Sequence, residues 1–331
     1  MNLPPILRWL LWPFSLVYGI AVRLRVWLYA RGILPTRRLC APVVSVGNLT
    51  VGGTGKTPLV ILLAERFLAA GKCVAILSRG YKGSGDASDE IEMMKYRLRG
   101  RALFGVGANR YEQGCRLEQQ GVDMFLLDDG FQHLQLARDM NILLLDGSRL
   151  LKNERLLPAG ELREPFSAMR RADLILVTRR EEHRAIEARD SDRRSIFYAQ
   201  TQLLGFRSLE QPDEEKYLSE IGPGPFFAFC AIGNPDAFLQ DLARWHIPVC
   251  GQSYFRDHHR YDQSDLKSLE ISAKERGAVG FVTTEKDWVN LRSAGKLSLP
   301  TYLAAISLSI QSEGEFLACL ERKLQSLGAR T

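Results

Sequence analysis

The stretch Val46-Gly-Asn-Leu-Thr-Val-Gly-Gly-Thr-Gly-Lys-Thr-Pro58 follows an apolar run, Pro42 to Gly47, and leads into Pro58 to Ala70, where Leu59, Val60, Leu62, Leu63, Phe67 and Leu68 form a wide helical face. Strand, glycine-rich turn and helix in that order are the setting of a phosphate-binding loop. The pattern Gly, four residues, Gly-Lys-Ser/Thr is met at Gly55, Lys56 and Thr57. Thr50 takes the place of the first glycine, and Gly52 and Gly53 restore the flexibility. Residues Thr50, Val51, Gly52, Gly53, Thr54, Gly55, Lys56 and Thr57 are therefore expected to hold a nucleotide triphosphate, with main-chain N–H groups and the positive end of the following helix at the phosphates. Lys56 would bridge the β- and γ-phosphates, and the Thr57 hydroxyl would take Mg²⁺.

Outward from the loop, buried-strand candidates recur at Cys73 to Ser78, Met124 to Asp128, Asn141 to Asp146 and Leu174 to Thr178, with helical segments between them. Continuous apolar strands alternating with helices predict an α/β fold, a parallel sheet covered by helices on both faces. A polar stretch, Glu210 to Gly224, resembles a boundary, and beyond it the pattern restarts at Phe226 to Ile232, Val279 to Thr283 and Tyr302 to Ile310. The predicted division is an N-terminal helix over 1–30, a phosphate-loop domain over 31–215 and a smaller α/β/α domain over 216–331. Asp128 and Asp129 close the strand that begins at Met124, at the sheet edge where ligands of open parallel sheets bind. Either is a candidate to hold the metal, and one can equally cap the next element.

The chain has 331 residues, and its formal charge of +6 is concentrated at the N-terminus, since no Asp or Glu precedes Glu65. An anionic partner is expected. Trp9 to Val22 carry no charge, a run of 14 residues that falls short of the roughly 18 needed to span a bilayer. As a helix, this run places Arg8, Ser15, Gly19 and Arg23 on one stripe and Trp12, Phe14, Leu16 and Val17 around the rest, which suits a helix lying in the headgroup region. A helix packed on the core is the alternative, and Pro13 would kink the helix or shift its start. No small-x-small cleavage site follows, which argues against a signal peptide. Six singly scattered cysteines predict reduced, buried thiols. Aromatic residues interleaved with basic ones on a strand platform are absent, which argues against a nucleic-acid module. A regulatory or motor NTPase that only hydrolyses its nucleotide is the rival reading, and Asn-Lys-x-Asp, the guanine signature, is missing.

The loop string, together with Leu77-Ser-Arg-Gly-Tyr81, Leu127-Asp-Asp-Gly-Phe-Gln-His133 followed by Arg138-Asp139, Leu162-Arg-Glu-Pro165, Ala228-Phe-Cys-Ala-Ile-Gly-Asn-Pro235, Phe255-Arg-Asp-His258 and Thr284-Glu-Lys-Asp287, resembles in order the motifs of the tetraacyldisaccharide 4'-kinase family. The resemblance covers about residues 42 to 290. It implies two α/β/α domains and transfer of the ATP γ-phosphate to the 4'-hydroxyl of an acylated disaccharide 1-phosphate at the cytoplasmic face of the inner membrane. No nucleic acid and no obligate protein partner are implied. It also implies that Asp89, in Ser88-Asp-Glu90, accepts the proton and is paired with His258, and that Glu164 is a further Mg²⁺-site carboxylate. His133 is read as a core or supporting group, Arg79 as a phosphate contact or a surface ion pair, and Lys286 and Asp287 as pairing with one another or with neighbours.

Overall fold

Apolar runs bounded by polar turns become strands when both faces are covered, and here they do. The computed structural model describes residues 4–80, 89–148, 155–179, 195–209 and 215–328. Tyr81, Asp86 to Ser88 and the start of the predicted boundary, residues 210–214, lie outside them.

From the N-terminus come α1 (Pro5–Ala30), β1 (Val43–Asn48), α2 (Lys56–Ala69), β2 (Val74–Ser78), α3 (Asp89–Leu98), β3 (Leu103–Val106), α4 (Arg110–Glu118) and β4 (Met124–Asp128). Then follow β5 (Met140–Asp146), a 3-10 turn (Phe166–Arg171), β6 (Leu174–Thr178), β7 (Ser195–Ser208), β8 (Glu215–Lys216), β9 (Phe226–Cys230) and α5 (Pro235–Arg244). The chain ends with β10 (Val249–Tyr254), α6 (Gln263–Glu275), β11 (Gly280–Thr284), α7 (Glu285–Leu291), β12 (Thr301–Ile310) and α8 (Glu313–Gly328).

The chain forms two compact units that are not contiguous in sequence. Unit one comprises Met1–Ser84, Leu98–Gln200 and Leu308–Thr331, and unit two comprises Gly85–Arg97 and Thr201–Ser307. The division thus departs from the predicted 31–215 and 216–331, because nearly all of α3 joins unit two while α8 returns to unit one. Composition marks a linker, but such excursions follow from long-range packing that composition does not record.

In unit one the strand order is β7-β6-β5-β1-β4-β2-β3, every pair parallel. β1, β2, β4 and β6 are buried at every position, which explains their unbroken apolar runs. One core layer gathers Leu39, Val43, Phe125 and Leu127, and the other Leu49, Phe131, Leu143 and Val177. β1 pairs β4 on one side and β5 on the other, Val46 standing opposite Asp128 and Asn48 opposite Leu144. This strand, from which the order runs both ways, carries the phosphate loop at its C-terminal end, where open sheets form their crevice.

In unit two the order is β10-β9-β11-β12-β7, with β8 antiparallel to β7. Phe226, Ala228 and Cys230 of β9 face one core cluster, and Phe227 and Phe229 the other. β3, β7 and β10 were not among the predicted strands. β10 is half-buried or exposed along its length, and β7 is partly exposed, so neither shows a continuous apolar run.

α1 has its polar and small residues inward. Ser15 is 6% exposed, whereas Trp9 is 69% and Ile20 64% exposed. Ser15 Oγ donates to Leu156 O at 3.0 Å and accepts from Ala159 N at 2.9 Å, and Tyr18 donates to Arg163 O at 2.9 Å. At Gly19 a Cβ would lie 2.7 Å from Leu156 Cδ1, so any larger residue would make that side chain shift. The stripe of Ser15 and Gly19 is thus the docking face, and the large apolar side chains point away from the protein. The helix runs through Pro13 and spans 26 residues. By length and composition alone it is long and apolar enough to cross a bilayer, more so than the 14-residue uncharged run within it. The cysteine expectation holds only in part, for Cys230 and Cys319 are buried but Cys40 is exposed.

Candidate functional site

In unit one, the loop after β1 is held by its carbonyl groups. Asn48 Nδ2 donates to Gly52 O at 3.4 Å and to Thr54 Oγ1 at 3.0 Å. Arg179 Nη1 donates to Gly53 O at 3.0 Å, and Thr178 Oγ1 donates to Thr54 O at 3.2 Å. In a trans peptide the N–H lies opposite its own C=O. Fixing the carbonyls of Gly52, Gly53 and Thr54 therefore turns the N–H groups of Gly53, Thr54 and Gly55 the other way, which is the geometry of an anion nest. Gly55 closes the loop with φ 90° and caps α2, so Lys56 and Thr57 open the helix. The Val51 N–H donates instead to Glu161 O at 2.9 Å, and Thr50 pairs with Leu162 as an antiparallel bridge. Thr50 and Val51 thus anchor the loop against the segment around Leu162, and the Val51 N–H is engaged there.

Asp128 and Asp129 leave the end of β4 differently. Asp128 is buried, with Ser78 Oγ at 3.5 Å from its Oδ2. Asp129 adopts a left-handed φ of 47° and meets Lys56 Nζ at 3.6 Å and Arg163 Nη1 at 2.7 Å. Burial pushes its carboxyl up, but Lys56, Arg163 and Arg110 outweigh that and hold it below the usual range. Glu164 is buried against Arg171, whose Nη2 lies 2.8 Å from Oε2. Among the described residues no three His, Cys, Asp or Glu side chains converge on one metal-binding point. Asp128, Asp129 and Glu164 therefore form no ready-made cage.

Beside Asp129, unit one opens a cavity of about 540 Å³ lined by Arg25, Arg79, Arg110, Arg163 and His133, with Val22 and Val26 of α1 on its apolar side. Burial, followed by the charges of Arg110, Arg138, Arg25 and Arg79, pushes His133 down to about 4. It is neutral at neutral pH and lines the cavity rather than the core.

In unit two, α3 opens with Asp89, a buried residue whose Oδ1 and Oδ2 both lie 3.0 Å from His258 Nδ1. Asp89 Oδ1 also accepts from Glu90 N at 3.2 Å, and Asn290 Nδ2 lies 3.4 Å from Oδ2. Burial favours the protonated acid, yet the His258 hydrogen bond and the Lys286 charge together hold Asp89 below its ordinary value. His258 is raised, chiefly by its hydrogen bond to Asp89, against burial and the Lys286 charge. A carboxylate kept ionised and backed by an imidazole can accept a proton near neutral pH. Lys286 and Asp287 do not pair with each other. Lys286 Nζ meets Asp257 at 2.9 Å. Asp287, fully buried, accepts from Ala231 N, Tyr261 Oη, Thr283 Oγ1 and Thr284 Oγ1.

Sequence reasoning missed Asn48, Thr178, Arg179, Arg163 and Asn290. Thr178 and Arg179 end β6 at the same sheet edge as Asp128, a position that signals ligand contact. Asn290 stands four residues after Lys286, one helical turn on.

Compared with known proteins, the chain matches the family described as tetraacyldisaccharide-1-P 4'-kinase over residues 7–325. It is 39% identical to the tetraacyldisaccharide 4'-kinase of Geobacter sulfurreducens, covering 93% of this chain and 91% of that one. It is 37% identical to that of Syntrophus aciditrophicus, covering 92% and 89%. A crystal structure of LpxK from Aquifex aeolicus in complex with ATP is similar with a TM-score of 0.73 and 31% identity, over 96% of this chain and 99% of that one.

Proposed function

The chain belongs to the tetraacyldisaccharide-1-P 4'-kinase family, and we infer from that membership that it transfers the ATP γ-phosphate to the 4'-hydroxyl of a tetraacyldisaccharide 1-phosphate, giving lipid IVA in lipid A biosynthesis. The observation that carries the reading is the loop before Lys56 whose three successive carbonyls are tied by Asn48, Arg179 and Thr178. Such a nest binds the triphosphate of ATP, and Lys56 neutralises charge that develops on the transferred group.

The Thr57 hydroxyl and the Asp128 carboxylate are hard oxygen donors that fit Mg²⁺, an ion commonly held by one or two carboxylates and the substrate's phosphates. When bound, Mg²⁺ neutralises the phosphate oxygens. Asp129, between Lys56 and Arg163, orients those cations, and Glu164 orients Arg171 in preference to serving as a metal ligand. Asp89 accepts the proton of the 4'-hydroxyl as it attacks, with His258 holding the carboxylate ionised. The arginine-lined cavity suits the anionic head of the acceptor, and its α1 wall suits the first carbons of an acyl chain.

Acyl chains of about a dozen CH₂ groups stay in the bilayer, at about 0.8 kcal/mol per buried group. The outward apolar side chains of α1 are read as lying in the membrane interface, with Ser15, Tyr18 and Gly19 keeping the helix on the protein. The cytoplasmic leaflet is the side at which ATP is available. Radiolabelled ATP with a tetraacylated disaccharide 1-phosphate in mixed micelles tests the activity, and label found only as free phosphate would sink it. Lys56→Ala is expected to lower kcat by about a thousandfold or more.

A further inference from the structure

Around His258, unit two gathers charges that the reaction described so far leaves without a role. α7 presents Lys286 and Asn290, one turn apart, to the two halves of the pair. Asn290 Nδ2 lies 3.4 Å from Asp89 Oδ2, the oxygen that His258 Nδ1 also meets at 3.0 Å. On the far side of the ring, Lys286 Nζ lies 3.5 Å from His258 Nε2. The same ammonium sits 2.9 Å from Asp257 Oδ1 and 3.7 Å from Glu90 Oε1. The base of α7 steadies the loop as well. His258, with a left-handed φ of 61°, donates its N–H to Ala231 O at 3.3 Å, and the Ala231 N–H donates to Asp287 at 2.9 Å.

An ammonium group has three donors and no acceptor. It can hydrogen-bond Nε2 only while that nitrogen carries no proton, which leaves the ring proton on Nδ1, towards Asp89. Protonating Nε2 would set two positive groups face to face.

We propose that Lys286 and Asn290 are positioning residues for the proton acceptor: Lys286 fixes the Nδ1–H form of His258 and disfavours the imidazolium, and Asn290 holds the Asp89 carboxylate edge towards that proton. This rests on the reading of Asp89 as proton acceptor. Among the described residues, the charged groups that meet His258 are Asp89 from α3, Asp257 from its own loop and Lys286 from α7, while Glu90 meets Lys286. Asp89 and Asp257 favour its protonation, and Lys286 opposes it. The Asp287 carboxylate is turned away, onto Tyr261 and the threonines.

The test is a ¹³C-histidine NMR titration of the full chain in detergent micelles, with the His258 signal assigned by its loss in His258→Gln. In Lys286→Met the His258 pKa is expected to rise by about one unit, and the acid limb of kcat/KM to move with it. Lys286→Arg, which keeps the charge, returns both towards wild type. Lys286→Gln, which removes the charge and keeps a polar side chain, should raise the His258 pKa likewise, and this arm decides the matter where Lys286→Met is poorly folded. An unchanged or lowered pKa in whichever of the two variants is folded overturns the role given to Lys286. Asn290→Ala is expected to cut kcat about tenfold with KM for ATP unchanged; a rise in KM with kcat intact overturns the role given to Asn290. The titration needs no turnover, so its failure is distinct from failure of the base assignment, which would show as near wild-type turnover of Asp89→Ala.

Discussion

Arg179 shows how one side chain can set the shape of a backbone. Its guanidinium joins Gly53 O to the Asp146 carboxylate, both at 3.0 Å, and so ties the loop to the end of β5. A hydrogen bond from a charged donor contributes about 1.5–3 kcal/mol. Arg179→Met is therefore expected to weaken binding of a nonhydrolysable ATP analogue roughly tenfold by calorimetry, and undiminished affinity would show that the loop holds its shape unaided. His133 yields a prediction of the opposite kind, about protons. Its folded-state pKa, about 4, lies below the unfolded value near 6.5. The neutral ring therefore contributes stability that is present above pH 6.5 and lost as pH falls towards 4. Urea melts of wild type at pH 7 and pH 5 should show that loss, and His133→Asn should lose less over the same window.

Among the elements, α3 and α7 are joined by a buried ion pair. Arg97 Nη1 lies 2.9 Å from Glu285 Oε2, the side chains being 5% and 7% exposed, and Arg207 of β7 approaches the same carboxylate at 3.5 Å. Tyr96 and Trp288 pack alongside, their ring centroids 4.7 Å apart. Removing one member of a buried pair leaves an uncompensated charge and costs about 3–5 kcal/mol. Glu285→Ala would leave both Arg97 and Arg207 in that state. It should lower the denaturation midpoint of the folded protein by a matching amount, whereas a change under about 1 kcal/mol would mean that water relieves the charge. Because α3 begins with Asp89 and α7 carries Lys286, the same pair keeps these helix starts in register with His258.

For the whole molecule, the decisive surface is that of α1. Trp9, Leu10, Phe14, Val17 and Ile20 are exposed on a helix whose inward face is Ser15 and Gly19, and a patch of this kind marks a surface for lipid or another protein. The basic residues at its end, Arg23, Arg25 and Arg31, suit an anionic leaflet. The double variant Trp9→Glu, Ile20→Glu is expected to reduce pelleting with anionic vesicles at least tenfold while keeping affinity for the ATP analogue. Unaltered pelleting would remove the membrane role from this face.

Periodicity and motif together determined a good deal. Unbroken apolar runs marked β1, β2, β4, β5, β6 and β9, since a strand covered on both faces needs no polar alternation. The loop around Gly55 and Lys56 was legible because only glycine and a helix start meet its backbone demands. Tertiary structure alone decided that Thr178 and Arg179 tie the carbonyls of Thr54 and Gly53, that Val51 faces Glu161, and that α3 and α8 each leave the unit that contiguity would assign them. It also decided that α1 turns its large apolar side chains outward. The reason is common to all four: each depends on partners 100 or so residues away or on the choice between two faces of one helix, and local pattern constrains neither.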